Sequence, residues 1–147
     1  MTIFEPARPL WTSRILSLLR IAAALVYIEH GTQKLFGFPA GNGAHHLMLM
    51  SQTGLAGIIE TFGGLCLLLG LFTRVAAFFT SGEMAVAYFQ VHNHRGLFPI
   101  QNGGDDAILL CFIFFYFIFA GGGLWSVDAV IATARRNRVQ RVGPPAS

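Results

Sequence analysis

Charge is what this chain has least of. Asp, Glu, Lys and Arg make up 12% of its 147 residues, against about 25% in a soluble domain. Cysteine is scarce as well. Cys66 and Cys111 each stand inside an apolar run, without C-x-x-C spacing and too few for a disulfide framework. No G-x-S-x-G elbow and no phosphate-cradling glycine motif occurs, which leaves hydrolase and nucleotide chemistry without footing. What fills the chain instead is apolar: 54% hydrophobic, 13% aromatic, with a mean hydropathy of +0.58. Length and composition together give a single domain, an all-α membrane protein.

The net charge of +3 owes most to Arg135, Arg136, Arg138 and Arg141. These follow an apolar segment directly, which fits a membrane flank lying on lipid better than a nucleic-acid surface. Arg8 and Arg14 precede the first apolar run as in a signal peptide, but Glu29 to Lys34 stands where a cleavage site would be. That run is therefore expected to remain as a first span.

Hydropathy divides the chain into a lead at 1–13, a four-span domain at 14–121 and a basic tail at 122–147. The spans are expected at about 14–36, 55–72, 75–91 and 105–120; the first covers roughly 33 Å, enough to cross a bilayer core. Pro6 and Pro9 discourage helix in the lead, and residues 44–52 are apolar but too short to span. Thr73-Arg74 alone separates spans two and three, so those helices are antiparallel neighbours. Residues 92–104 read as a polar loop. Ser126 suits the cap of a short C-terminal amphipathic helix. The architecture expected is a four-helix transmembrane bundle.

Four spans place both termini on one side. Arg8, Arg14, Arg74 and the four tail arginines fall there, with only Lys34 and Arg95 opposite, so both termini are expected in the cytoplasm. This orientation turns scattered polar residues into a layer. Glu29, His30, Gln33 and Lys34 lie in the outer half of span one, Glu60 in that of span two, and Glu83 near the middle of span three. Asp105 and Asp106 open span four, placed to close the layer against Lys34 or Arg95. Ionisable groups at such depth cost roughly 2.5–3.5 kcal/mol each on insertion scales, so they have partners or tasks. On a helical wheel Arg20, Tyr27, His30 and Lys34 share one face, while Glu29 and Gln33 point elsewhere. Arg20 is expected to act as a structural counter-charge. Ala77, Ser81 and Ala85, and the glycines flanking Glu60, allow close helix contact.

The run Arg20, then His30-Gly31-Thr32-Gln33-Lys34-Leu35-Phe36-Gly37, resembles the DoxX family of small bacterial membrane proteins. So do Gly57-Ile58-Ile59-Glu60-Thr61-Phe62-Gly63-Gly64, its continuation from Leu69 to Ala77, the element Asn102-Gly103-Gly104-Asp105-Asp106, and the closing stretch Gly122 to Asp128. The likeness covers about residues 14–130. It departs at Asp105-Asp106, where the family commonly has Glu followed by a small residue. The resemblance implies a four-span inner-membrane protein; some relatives are associated with quinone-linked sulfur oxidation, others with complexes handling thiol or oxidative stress. A fold alone does not set the activity.

The residues themselves leave several readings open. Glu29, His30, Lys34, Glu60, Glu83 and Asp105 are the candidate catalytic set, able to offer a quinone headgroup hydrogen bonds and proton-carrying groups. They equally suit an ion-pair network in a non-enzymatic anchor or assembly subunit of an oxidoreductase complex. Haem or metal between His30, His92 and His94, or a carboxylate di-iron centre, is a third option, disfavoured because paired Glu-x-x-His repeats are absent; no metal site is expected. Four spans without an internal repeat are few for a transporter. The expected partners are the lipid bilayer, a partner oxidoreductase and a second copy of the chain; nucleic acid is not among them.

Overall fold

The structure is a computed structural model and describes residues 9–39 and 50–142. The short apolar piece expected at 44–52 therefore lies mostly outside the described residues, as do His45 and His46. Every regular element among the described residues is helical: α1 (Leu10–Phe36), α2 (Gln52–Leu69), α3 (Thr73–Ala87), α4 (Pro99–Asn102), α5 (Asp105–Ala120) and α6 (Val127–Val142). A π-helical turn, Tyr88–His92, and a 3₁₀ turn, Asn93–Arg95, continue α3 without a break.

α1 begins at Leu10, so residues 10–13 are helix and not the irregular lead expected. Pro9 sits just before the helix, where its missing N–H costs nothing and its fixed φ suits the start. α2 starts earlier than expected because the Ser51 hydroxyl accepts from Gly54 N at 3.1 Å. It stops at Leu69 because Gly70 adopts φ +68. The interval 92–104 is not wholly loop: it holds the end of the π turn, the 3₁₀ turn and α4. Asn102, 2% exposed, ties it together by donating to Gly96 O at 2.8 Å and accepting from Gly104 N at 2.8 Å.

α1 packs along α2, α3 along α5, and α2 against α3, with α1 touching α5 only lightly. The outside is apolar, unlike that of a soluble bundle, and the interior mixes an apolar core that includes Tyr27, Leu67, Phe114 and Phe117 with buried polar groups. Leu18, Leu25, Phe62, Leu69, Phe112 and Phe119 are exposed, while Ser17, Arg20, Glu60, Thr73, Thr80 and Ser81 are buried. An apolar exterior of this extent is a surface for lipid. Two helices, α1 and α2, are long and apolar enough to cross a membrane by length and composition. α3 and α5, at 15 and 16 residues, fall short of the roughly 20 that a full crossing takes.

At one end of the bundle, Arg20 is 1% exposed. Its Nε donates to Gly122 O at 2.9 Å, Nη1 donates to Leu67 O and to Leu68 O, and Nη2 donates to Trp125 O at 2.6 Å. The expected counter-charge is thus a clamp on carbonyls. Its nearest carboxylate, Asp128, is occupied elsewhere, accepting from Phe72 N at 2.9 Å and Thr73 N at 2.8 Å. Those are first-turn amides of α3, where a carboxylate satisfies orphan donors and meets the positive end of the helix dipole. Phe72, at φ 48, takes a left-handed conformation that costs a non-glycine residue about 1–2 kcal/mol; the bond to Asp128 holds it there. Gly70 must be glycine, because a Cβ there would lie 2.4 Å from Ser126 Cβ. Asp128→Ala is expected to lower the stability of the detergent-solubilised chain by about 1–2 kcal/mol through loss of this cap, read as a fall in the thermal midpoint. An unchanged midpoint would show the cap to be idle.

α6 is rooted by Ser126, whose hydroxyl donates to Gly123 O at 2.7 Å and accepts from Ala129 N at 3.2 Å. Beyond that root its apolar residues do not fold back onto the bundle: Val130 is 67% exposed and all four arginines are exposed.

Candidate functional site

The opposite end of the bundle is built on a close approach of α1 and α2. Gly31 is buried, and a Cβ there would lie 2.6 Å from Thr61 N and 2.5 Å from its hydroxyl oxygen. Only glycine lets the helices touch at that point. One turn further along α1, Lys34 Nζ reaches Glu60 Oε1 at 2.5 Å. One turn the other way, the Tyr27 hydroxyl donates to Glu83 Oε2 at 2.9 Å. The Tyr27 ring is fixed edge-on against Phe114, centroids 4.9 Å apart. Three helices therefore contribute to two carboxylate contacts, and α5 supplies the wall behind.

A cavity of about 1080 Å³ opens beside these groups, at the upper end of the range for small-molecule sites. His30, Lys34, Glu60 and Glu83 line it, and its apolar wall includes Phe78, Phe79 and Phe115. Ser81 and Cys111 lie on the same wall, with the Ser81 hydroxyl donating to Cys111 O at 2.9 Å.

Four of the six candidate residues thus meet in one place: His30, Lys34, Glu60 and Glu83. Glu29 does not join them. It is exposed, on the face away from His30 that the helical wheel assigned it, and its backbone carbonyl accepts from the Thr32 hydroxyl at 3.2 Å. Asp105 is exposed too and lies outside the cavity lining; Asp106, its neighbour, is part of it. Neither aspartate closes the site against Lys34 or Arg95, since Lys34 is already held by Glu60. His92 contributes to the lining, with Nδ1 3.2 Å from Asn102 O. Among the described residues no three His, Cys, Asp or Glu side chains converge in a way that could hold a metal ion.

Tyr27 is the site residue that sequence reasoning undervalued. Its place on the Arg20–His30–Lys34 face signalled that it points inward, but not that a carboxylate 56 residues later receives its hydroxyl.

The DoxX family model matches residues 15–93, from the second turn of α1 through the π turn. The chain belongs to the DoxX family. It is also 44% identical over 136 residues to an uncharacterised protein of Haemophilus influenzae, a span covering 87% of this chain and 96% of that relative. No solved structure matches. The matched DoxX region holds Arg20, Gly31, Lys34, Glu60 and Glu83, and so contains both the clamp arginine and the paired groups of the cavity. The elements Asn102 to Asp106 and Gly122 to Asp128 lie beyond it.

Proposed function

We propose that this DoxX chain is a four-span protein of the bacterial inner membrane, both termini cytoplasmic. Its cavity holds a quinone-type headgroup, and it contributes to membrane redox chemistry, quinone- or thiol/sulfur-linked, beside a partner oxidoreductase. Support for four spans comes from the unbroken helical run from Thr73 to Arg95, about as long as a full crossing needs. The exposed apolar faces of α3 and α5, with Phe78, Phe79, Phe112 and Phe119, add to it. The basic helix α6 then lies at the cytoplasmic side, where anionic lipid favours arginine.

The observation that carries the ligand reading is the Lys34–Glu60 pair on the wall of a large, mostly apolar cavity. Lys34 has two further N–H donors for a carbonyl oxygen, and aromatic side chains flank a flat ring. A quinone supplies two-electron chemistry when bound; the chain's own groups orient the ring, and the Glu60 and Glu83 carboxylates stand on the cavity lining as proton acceptors. A second reading, a non-enzymatic anchor or assembly subunit, is favoured by the mutual pairing of Tyr27 with Glu83 and Lys34 with Glu60.

The test is calorimetric titration of the purified chain in lipid nanodiscs with a decyl-substituted benzoquinone. Saturable binding in the micromolar range is expected, weakened at least tenfold by Lys34→Met. Absence of binding to the unaltered chain would sink the ligand reading. A partner enzyme that keeps all its activity without this chain would then favour the anchor.

A further inference from the structure

Glu60 is 1% exposed, and its carboxylate is only half used. Oε1 receives Lys34, while Oε2 is buried with no hydrogen-bond partner among the described residues. Buried polar atoms are almost always satisfied, so an orphaned carboxylate oxygen on a cavity wall points to something missing from the cavity. With the Lys34 ammonium bonded to Oε1, the carboxylate presents Oε2 as an acceptor. What is missing is a donor.

No neighbouring hydroxyl among the described residues supplies it: that of Tyr27 donates to Glu83 and that of Ser81 to Cys111 O, while that of Thr61, buried and itself unpaired, makes no bond to Glu60, and Lys34 sits on Oε1. The same cavity has open floor at Gly82, where an added Cβ would meet nothing within 4 Å. Phe78 and Phe79 stand beside it on the wall. A flat ring fits there, and one hydroxyl hydrogen answers one oxygen.

We infer that the cavity takes a lipid-soluble aromatic alcohol, a phenol or hydroquinone on an apolar tail, whose hydroxyl donates to Glu60 Oε2 while its ring lies over Gly82. This rests on the headgroup-binding reading above and adds a direction to it: the reduced, hydroxyl-bearing form binds more tightly than the quinone, which has no O–H to give.

The experiment measures binding of 4-dodecylresorcinol, its dimethyl ether, dodecylbenzoquinone and dodecylammonium to the full chain in nanodiscs. The diol is expected to bind at least tenfold more tightly than the dimethyl ether and the quinone, the usual scale for one hydrogen bond to a charged group. Glu60→Gln, which turns one oxygen into a donor, should compress that ratio to about threefold or less. Gly82→Leu should abolish binding while leaving the helical circular-dichroism spectrum and thermal transition intact, because its side chain enters open space. The inference is overturned by equal affinity for diol and ether, by Gly82→Leu binding as the unaltered chain does, or by dodecylammonium binding as tightly as the diol. If the quinone binds without any preference for the diol, only this inference fails. If none of the four binds, the headgroup reading fails with it.

Discussion

Arg20→Leu is expected to leave no stably folded bundle in detergent. The guanidinium serves four carbonyls, from Leu67, Leu68, Gly122 and Trp125, at a site 1% exposed. Two of these keep some support without it, since Gly70 N also donates to Leu67 O and the Ser17 hydroxyl to Gly122 O. Leu68 O and Trp125 O lose their side-chain donor outright. A buried acceptor left unpaired costs about 1–3 kcal/mol, so the two together cost about 2–6 kcal/mol. That is a large part of the roughly 5–15 kcal/mol that holds a typical domain. The void left by the guanidinium adds to it. Arg20→Lys should fare better yet still melt earlier, because an ammonium has donors but cannot reach a planar fork's targets. Gel filtration and thermal circular dichroism of the two variants in the same detergent separate these outcomes. An Arg20→Leu protein with the original melting transition would show the clamp to be dispensable.

Gly31→Val is expected to damage stability and binding together. A Cβ at this position falls 2.6 Å from a backbone nitrogen, that of Thr61, which cannot rotate away as a side chain does. α1 must therefore separate from α2. Overpacking of this kind typically costs about 1–3 kcal/mol, and a bulkier branch does more harm than alanine. The displacement also reaches the site, because Lys34 lies one turn on and its Cβ already crowds Gly57 at 3.1 Å from where a Cβ would sit. The 2.5 Å contact with Glu60 does not survive a shift of that element. Adding Thr61→Ala should restore little, since the clashing nitrogen stays. If Gly31→Val keeps the melting midpoint and the quinone affinity of the unaltered chain, the close approach of the two helices does not organise the cavity.

Much of the fold follows from local patterns. α5 begins and ends where hydropathy and the flanking glycines place it, at Asp105 and Ala120. The shared face of Arg20, Tyr27 and Lys34 could be read from 3.6-residue periodicity, and Arg20 and Tyr27 are indeed buried. The same wheel separated Glu29 from His30, though depth alone had made Glu29 a candidate for the cavity. Depth says how costly a group is; only direction says what it meets. Asp105 stands where the family commonly has Glu, whereas it is Asp106 that lies on the cavity lining.

What local reading misses is closure over long separations. Nothing near Asp128 reveals that it caps a helix beginning 55 residues earlier. Nor does the apolar context of Arg20 reveal that its partners are carbonyls of Gly122 and Trp125, more than a hundred residues away. The start of α1 differs for another reason: proline breaks a helix from within, but Pro9 stands just before α1, where it suits an initiator.

The Arg20 clamp also imposes an order on biosynthesis. Two of its four acceptors, on Gly122 and Trp125, are made only after α5 has been translated. Until then the guanidinium on α1 has no route to its final partners, and the amides of Phe72 and Thr73 wait for Asp128 as well. A nascent chain halted before residue 122 thus presents a buried-type arginine and an uncapped helix at the same end of the bundle. Such a chain carries its own mark of incompleteness in unpaired polar groups.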